Sequence, residues 1–204
     1  MRPQIILPTA IFPNLAYCSF LFNNNDVYIE TQEHFIKQSV RNRYVIASPQ
    51  GALTLSVPLI NSGNKTCTGE KLISYQEPWQ SKHWRAIESS YRNSPYFEYF
   101  EEEIKSVFLS KHEFLVNFNE TVLNMVFTIL RKKRDIKKTT TYLPFYEYDY
   151  RDDLKIDNRI THFPEYYQVV KPTTGFIPNF SILDLLFNEG LFSVNYLLNL
   201  KTTD

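Results

Sequence analysis

Two short apolar segments separated by a helical one fill the first thirty residues and most constrain the fold. "QIILP" at 4–8 and "DVYIE" at 26–30 have the length and composition of short strands, and "NLAYCSFLFNN" at 14–24 follows Pro13 as a compact helix. A strand, helix and strand this close together predict a parallel pair joined by a right-handed crossover. The loop after the first strand lacks glycine, which excludes a phosphate loop of the Walker or dinucleotide kind.

The remainder of the chain predicts a hairpin followed mainly by helices. Residues 43–48 and 52–59 flank "SPQG", where Pro49 and Gly51 suit a turn, and apolar residues alternate along the second strand. Further strands are expected near 71–75 and at 139–146. One helix is predicted to start at Pro78 and a second at 94–95. A third carries an apolar stripe between Leu115 and Ile129. Ser181 is predicted to cap a final pair of helices, which is split at Gly190.

These elements predict an α/β fold, with mixed α+β as the alternative. In it, a small mixed sheet made from the N-terminal strands and the hairpin packs against several helices. With 204 residues the chain can bury one sizeable core, and no repeat, low-complexity segment or linker divides it. We therefore expect a single domain over 1–204.

The charge balance restricts the partners of the protein. Lys plus Arg and Asp plus Glu both number 22, so no overall field attracts the chain to nucleic acid, and any anion site must be local. The basic run at 131–138 is interpreted as solvated cations at a helix C-terminus, with a polyanion patch as the alternative. We therefore expect a small, anionic substrate and no nucleic-acid partner.

Cysteine usage and hydropathy indicate the compartment. Cys18 and Cys67 are the only cysteines and have no zinc-site spacing, so we expect a reduced, cytoplasmic protein and predict no metal site. Prolines interrupt the apolar N-terminal segment, which argues against an export signal. No segment reaches the ~18 uninterrupted apolar residues of a membrane span.

The stretch "HFIKQSVRNRY" at 34–44 concentrates hydrogen-bonding side chains after the second strand. If the hairpin strand starts early, Arg41 and Arg43 share one face and form a fork for a diphosphate or a carboxylate, with Lys37 just upstream. The alternative is structural, because Glu30 and Glu33 are near enough in sequence to neutralise the arginines in an ion-pair network.

Few residues are candidates for acid–base or nucleophilic chemistry. Glu30 follows an apolar strand, and His83 adjoins the aromatic stripe of its helix, where a hydrogen-bonded packing role is the alternative to a base. Cys18 as a nucleophile would need a histidine and an oxyanion donor from elsewhere, and its apolar helix favours a core position. No Ser, His and Asp arrangement forms a nucleophile elbow.

Several segments, taken in order, resemble the WbqC-like family in the form common in Bacteroidetes. They are "FPNLAYCSFLFNNNDVYIE", "FIKQSVRNRYVI", "GALTLSVPL", "WQSKHWRAIESSYRNSPYFEYF" and "FIPNFSILDLLFNEG". The resemblance covers nearly the whole chain. The commoner opening of the family has Gly-Tyr-Phe after an aromatic residue and proline. Here Ala16 and Cys18 replace the Gly and Phe, while Tyr17 aligns.

The resemblance implies work on precursors of surface polysaccharide such as O-antigen. We expect an enzyme that transfers an acyl or aminoacyl group to a nucleotide-linked sugar. One alternative is a non-catalytic accessory protein that binds a glycan-biosynthesis partner or a carrier-linked intermediate; a weaker one is an amidase or peptidase-like hydrolase. No cofactor or oligomeric state is predicted. The expected catalytic residues are Glu30 and His83, and the expected substrate-binding residues are Tyr17, Lys37, Arg41, Asn42 and Arg43.

Overall fold

A four-stranded parallel sheet lies at the base of the fold in the computed structural model, which describes residues 5–61, 66–152, 156–170 and 175–201. The strands are β1 (Ile5–Pro8), β2 (Val27–Glu30), β3 (Arg43–Ser48), β4 (Gly51–Ser56), β5 (Lys137–Lys138) and β6 (Tyr148–Asp149). The α-helices are α1 (Leu15–Asn23), α2 (Trp79–Tyr91), α3 (Phe97–Leu109), α4 (Leu115–Ile129), α5 (Ile182–Glu189) and α6 (Ser193–Asn199), with 3-10 turns at Thr68–Glu70 and Gly190–Phe192.

The predicted parallel pair is confirmed. β1 and β2 run parallel in a register that places Ile5 opposite Val27 and Pro8 opposite Glu30, with α1 as the crossover. The full strand order is β5-β2-β1-β6. β2 and β5 lie on one side of β1, and β6 lies on the other. The direction in which successive strands are added therefore reverses between β1 and β6. In open parallel sheets, ligands bind at such a reversal, in the crevice outside the carboxyl ends of the strands.

The hairpin differs from the expected mixed sheet. β3 and β4 pair antiparallel over their full length and form a separate two-stranded sheet. Leu53 and Leu55 face inward, while the alternating residues Ala52, Thr54 and Ser56 are exposed, as the alternation predicts. The α/β class is confirmed, but the sheet is completed by β5 and β6 instead of by the hairpin.

Two of the strand predictions were wrong. Residues 139–146 contain no strand, and the sheet instead takes two-residue strands on either side of them. Around 71–75 only single bridges form, from Ile73 to Leu59 and from Leu72 to Phe114. Pairing of two residues leaves almost no periodicity in the sequence, so pattern reasoning cannot locate such strands.

The end of the basic run forms the edge strand β5. Lys137 pairs with Asp26 at 2.8 Å and Lys138 with Glu120 at 2.6 Å, and all four side chains are partly exposed. Charged residues on an edge strand discourage pairing with another chain. These two lysines therefore belong to the border of the sheet.

The core lies between the sheet, the hairpin and the helices, and it is rich in aromatic rings. The stripe of α4 is buried as predicted, with Leu115, Phe118, Val122 and Val126 at most 2% exposed. Among the helices in the part of the chain that the structure describes, none combines the length and apolarity needed to cross a bilayer.

The C-terminal helices are fixed by a buried aspartate. Ser181 caps α5 by accepting from the Leu183 N–H, as predicted. Asp184 in the first turn is fully buried and accepts hydrogen bonds from the Tyr166 hydroxyl and, at 2.9 Å, from the Gln168 amide. Burial raises the pKa of Asp184. The "SILDLLFNEG" segment therefore serves the architecture.

We predict that Gly190→Ala destabilises the fold more than Gly51→Ala. Both glycines have positive φ, +57° and +113°, so either alanine carries backbone strain of about 1 to 3 kcal/mol. A Cβ at 190 would also lie 2.6 Å from the Tyr96 ring, whereas a Cβ at 51 meets nothing within 4 Å. Urea unfolding of both variants measures the difference; equal losses would contradict this account of the break between α5 and α6.

Candidate functional site

Glu30 ends β2 with its carboxylate fully buried at the carboxyl edge of the parallel sheet. Oε1 accepts hydrogen bonds from the Gln32 backbone and from the Thr139 hydroxyl, both at 2.7 Å. Oε2 lies 3.4 Å from Nη1 of Arg151. Thr139 follows β5 and Arg151 follows β6, so Glu30 joins segments that leave three parallel strands.

Arg151 is the most densely bonded cation of this edge. Its Nε and Nη2 bind the two carboxylate oxygens of Asp149 at 2.9 and 2.5 Å, and its Nη1 donates to the Leu143 carbonyl at 2.9 Å. The guanidinium also lies 5.1 Å from the ring centres of both Tyr142 and Tyr146. The bonds with Asp149 raise the pKa of Arg151, which stays charged.

Arg41 forms the second buried ion pair, with Glu33. Arg41 is 0% exposed, and its Nε and Nη2 lie 2.7 and 2.6 Å from Oε1 of Glu33. Its Nη2 also donates to the backbone carbonyl of Arg151 at 2.9 Å, which connects the two ion pairs. These contacts agree with the structural interpretation of Arg41: the carboxylate partner lies inside the fold.

Glu33 is a buried acid in the floor of this site. Burial raises its pKa, and the opposing attraction of Arg41 does not cancel that effect. A carboxyl group whose pKa is shifted toward neutrality can exchange a proton with a substrate more readily than an ordinary glutamate.

A cavity of about 550 Å³ opens over these ion pairs, and we call it the sheet-edge cavity. Its buried floor includes Glu33, Arg41 and Arg151, and its rim includes exposed Lys37 and Asp152. The full lining is Glu33, Ile36, Lys37, Gln38, Ser39, Arg41, Tyr142, Asp149, Arg151 and Asp152. The volume suits a ligand of sugar-phosphate size. Within the described ranges, no group of three or more His, Cys, Asp or Glu is placed to hold a metal ion.

The structure brings together only part of the predicted set. Lys37 and Arg41 line the sheet-edge cavity, and Glu30 lies behind it in contact with Arg151. Arg43 lines a different cavity, so the predicted fork with Arg41 does not form. The prediction required both arginines to lie in one strand, where alternate residues share a face. β3 begins only at Arg43, so Arg41 lies outside the strand and the two side chains do not share a face.

Two other predicted binding residues have structural contacts. The Asn42 amide donates to the Val57 carbonyl at 3.0 Å and fixes the hairpin. Tyr17 is 1% exposed and its hydroxyl donates to the Pro8 carbonyl at 2.7 Å, where β1 ends. Neither side chain lines the sheet-edge cavity, and these contacts support the fold; the substrate-binding role of both residues stays a prediction.

His83 is a core residue, which corrects its assignment as a base. It is 4% exposed, its Nδ1 is 3.0 Å from the Tyr44 hydroxyl, and its ring packs edge-on against Trp79 and Phe108. Burial lowers its pKa to about 4, partly offset by a hydrogen bond with the Ser56 backbone. A neutral, enclosed imidazole cannot reach a substrate in the sheet-edge cavity.

Cys18, the cysteine candidate for the nucleophile of the hydrolase alternative, lies in the core. Cys18 is 1% exposed and its thiol points to the Pro13 carbonyl at 3.8 Å. Burial raises the pKa of this thiol well above its ordinary value. Since the thiolate is the reactive species, Cys18 is an inert core residue.

Sequence reasoning missed Arg151, Asp149 and Thr139. Asp149 and Arg151 lie in a polar segment interpreted as a loop, and Thr139 in a segment interpreted as a longer strand. The signal available was weak: an acidic and a basic residue at 149 and 151 alternate as strand neighbours do. Their approach to Glu30 depends on parallel pairing between segments more than 100 residues apart.

The fold and the site define an α/β protein with a mixed-charge cavity at the carboxyl edge of a parallel sheet. The sequence profile of the WbqC-like protein family matches residues 9–158. The chain therefore belongs to the WbqC-like protein family. It is also 24% identical over 226 residues to the uncharacterised protein Rv1507c of Mycobacterium tuberculosis, with 97% of this chain and 98% of that protein aligned. No solved structure matched the chain.

We predict that Arg41→Met lowers the free energy of unfolding by about 3 to 5 kcal/mol, because it leaves the buried Glu33 carboxylate without its cation. Lys37→Met, which changes an exposed residue of the same cavity, should cost less than about 0.5 kcal/mol. Urea titrations at pH 7 test both. A loss below about 1 kcal/mol for Arg41→Met would show that the pair does not hold the fold.

We predict that His83 makes the fold less stable as the pH falls from 6.5 to about 4. The folded-state pKa lies below the unfolded value, so its stabilising contribution is present above pH 6.5 and is lost as the unfolded chain takes up the proton. Relative to His83→Gln, the wild type should lose up to about 3 kcal/mol across this interval. Parallel stability curves for the two proteins would contradict the buried, neutral state.

Proposed function

We propose that the protein is an enzyme of surface-polysaccharide precursor biosynthesis that transfers an acyl or aminoacyl group to the amine of a nucleotide-linked sugar. The observation that carries this proposal is the sheet-edge cavity, in which three cationic and three acidic side chains line one space. Membership of the WbqC-like protein family supports the biological context.

The charge pattern favours a substrate that carries both signs. Arg41 and Arg151 are neutralised by Glu33 and Asp149, so the cavity has no large excess of positive charge. Lys37 at the rim is placed to bind a phosphate, and the acids can receive an amine. An amino sugar linked to a nucleotide diphosphate presents these two groups at opposite ends.

Glu33 replaces His83 as the proposed base. In the transfer, the sugar nitrogen attacks the carbonyl carbon of an activated acyl donor, such as a thioester or an ester. The bond between this carbon and the leaving group then breaks. Glu33 takes the proton released by the amine and returns it to the leaving sulfur or oxygen. Its raised pKa suits both steps, and Arg41 holds its carboxylate in place.

A thermal-shift screen of nucleotide sugars tests this proposal. At a hundredfold excess over its dissociation constant, a bound ligand stabilises the fold by about 2.7 kcal/mol. For a chain of this length the melting temperature then rises by roughly 5 to 10 °C. Amino-sugar nucleotides should act more strongly than the corresponding hydroxyl sugars or free nucleotides. No shift with any nucleotide sugar at millimolar concentrations would count against the proposal.

Lys37→Met gives the matched control on the site. Losing one charged hydrogen bond should weaken binding by about 1.5 to 3 kcal/mol, while Lys133→Met, at an exposed position in the basic run, should not change it. Equal weakening by both variants would indicate general electrostatic attraction instead of a site at the sheet edge.

A second candidate, the non-catalytic accessory role, is favoured by one specific surface. A groove of about 600 Å³ lies between α3, the end of α4 and the Gly190–Phe192 turn, and it exposes Tyr99 by 73% and Phe192 by 64%. Exposed aromatic patches of this kind occur at protein interfaces. If polysaccharide production in the bacterium survives Lys37→Met but not Phe192→Ser, with both variants folded, the accessory role is preferred.

A further inference from the structure

A second cavity, lined mostly by apolar groups with a few polar ones, lies beside the hairpin. It has a volume of about 270 Å³ and shares no lining residue with the sheet-edge cavity. We call it the hairpin cavity. It is bounded by Phe12, Asn14, Arg43, Asp157, Ile177 and Asn179, among others. The space is large enough for a molecule of a few heavy atoms but smaller than a typical drug-sized site.

Arg43 contributes to this cavity a guanidinium group whose Nε lacks a hydrogen-bond partner. Its Nε is buried and has no hydrogen-bond partner in the ranges the structure describes, and no salt bridge of the side chain is found there. A buried N–H without an acceptor is costly, and native structures seldom keep one without a reason. A ligand with an acceptor oxygen would satisfy it.

Asp157 contributes an anion that is held rigidly. One carboxylate oxygen accepts from the Asn14 amide at 2.8 Å and from the Asn179 amide at 2.9 Å. The carbonyl oxygens of the same two amides accept from the backbone of Tyr17 and Ala16 in the first turn of α1. The carboxylate is therefore fixed to the helix while Asp157 lines the cavity, and the described hydrogen bonds of this carboxylate use one of its two oxygens.

The backbone around the hairpin cavity is strained at two positions. Phe12 has φ of 39° and Asn179 has φ of 60°, both in the left-handed region that side chains disfavour. Asparagine tolerates that region, but a buried phenylalanine does so only where its surroundings hold it. Strain of this kind concentrates at ligand sites, and here it adds a third observation that is independent of the charges.

We propose that the hairpin cavity binds a small zwitterion, a molecule with a carboxylate and an ammonium group on the same carbon and a small apolar body. The carboxylate binds Arg43, the ammonium group binds the second oxygen of Asp157, and the body contacts Phe12 and Ile177. Asp157 repels a ligand that carries only a negative charge, and Arg43 repels a ligand that carries only a positive charge. The cavity therefore selects a ligand that carries both charges.

Saturation-transfer NMR with L-alanine, propionate and isopropylamine at equal concentrations tests the proposal on the full chain. L-Alanine should give a saturable signal, while propionate and isopropylamine bind at least tenfold more weakly, since each lacks one charged contact. Absence of L-alanine binding, or equal binding of propionate, overturns the proposal.

Variants place the site and separate it from the proposed enzyme function. Arg43→Met and Asp157→Asn should each weaken L-alanine binding at least tenfold, whereas Lys37→Met should leave it unchanged. Arg43→Met should melt at or above the wild-type temperature, because no described hydrogen bond or salt bridge of the side chain is lost and the buried Nε no longer lacks an acceptor. A lower melting temperature, or unchanged L-alanine binding in both variants, overturns the assignment whatever the nucleotide-sugar screen shows.

Discussion

The coupled ion pairs of Glu30 with Arg151 and of Glu33 with Arg41 hold together the edge of the sheet on which the site is built. Both carboxylates are buried, and a buried carboxylate persists only with cations and hydrogen bonds around it. The Arg41 guanidinium also donates to the Arg151 backbone, 110 residues away in the chain. Strands β5 and β6 have two residues each and could not keep their places by backbone pairing alone. The network therefore fixes the outer strands as well as the floor of the sheet-edge cavity.

This arrangement gives the basic residues of the "KQSVRNR" stretch different tasks. Arg41 faces inward and stabilises, Lys37 remains at the rim of the sheet-edge cavity, and Arg43 turns to the hairpin cavity. One short segment thus borders both cavities. A catalytic role in the first space and a ligand role in the second require no shared side chain, and either can fail alone.

The predictable parts of the fold were those with local periodicity. The β1–α1–β2 unit, the alternation of Leu53 and Leu55, and the stripe of α4 follow from spacing alone because each repeats over several residues. Lys37 and Arg41 were predicted together for a similar reason, since the density of polar side chains is visible in one segment, and both line the sheet-edge cavity. Strand 139–146 was misplaced, and the sheet was expected to include the hairpin, because strand partners far apart in sequence leave no local pattern.

By itself, the sequence determined the α/β class, the buried faces of the main elements and the existence of a polar segment after β2. Only the tertiary structure decided what each polar residue does. His83 became a neutral core residue because aromatic rings from other elements enclose it, and Arg43 was separated from Arg41 by the residue at which β3 begins. Asp149, Thr139 and Arg151 joined the site through parallel pairing of distant segments. Side-chain type and spacing are local properties of the sequence. Burial and charge pairing depend instead on which distant segments come together. Burial and charge pairing decide whether an arginine stabilises the fold or is left to bind a ligand.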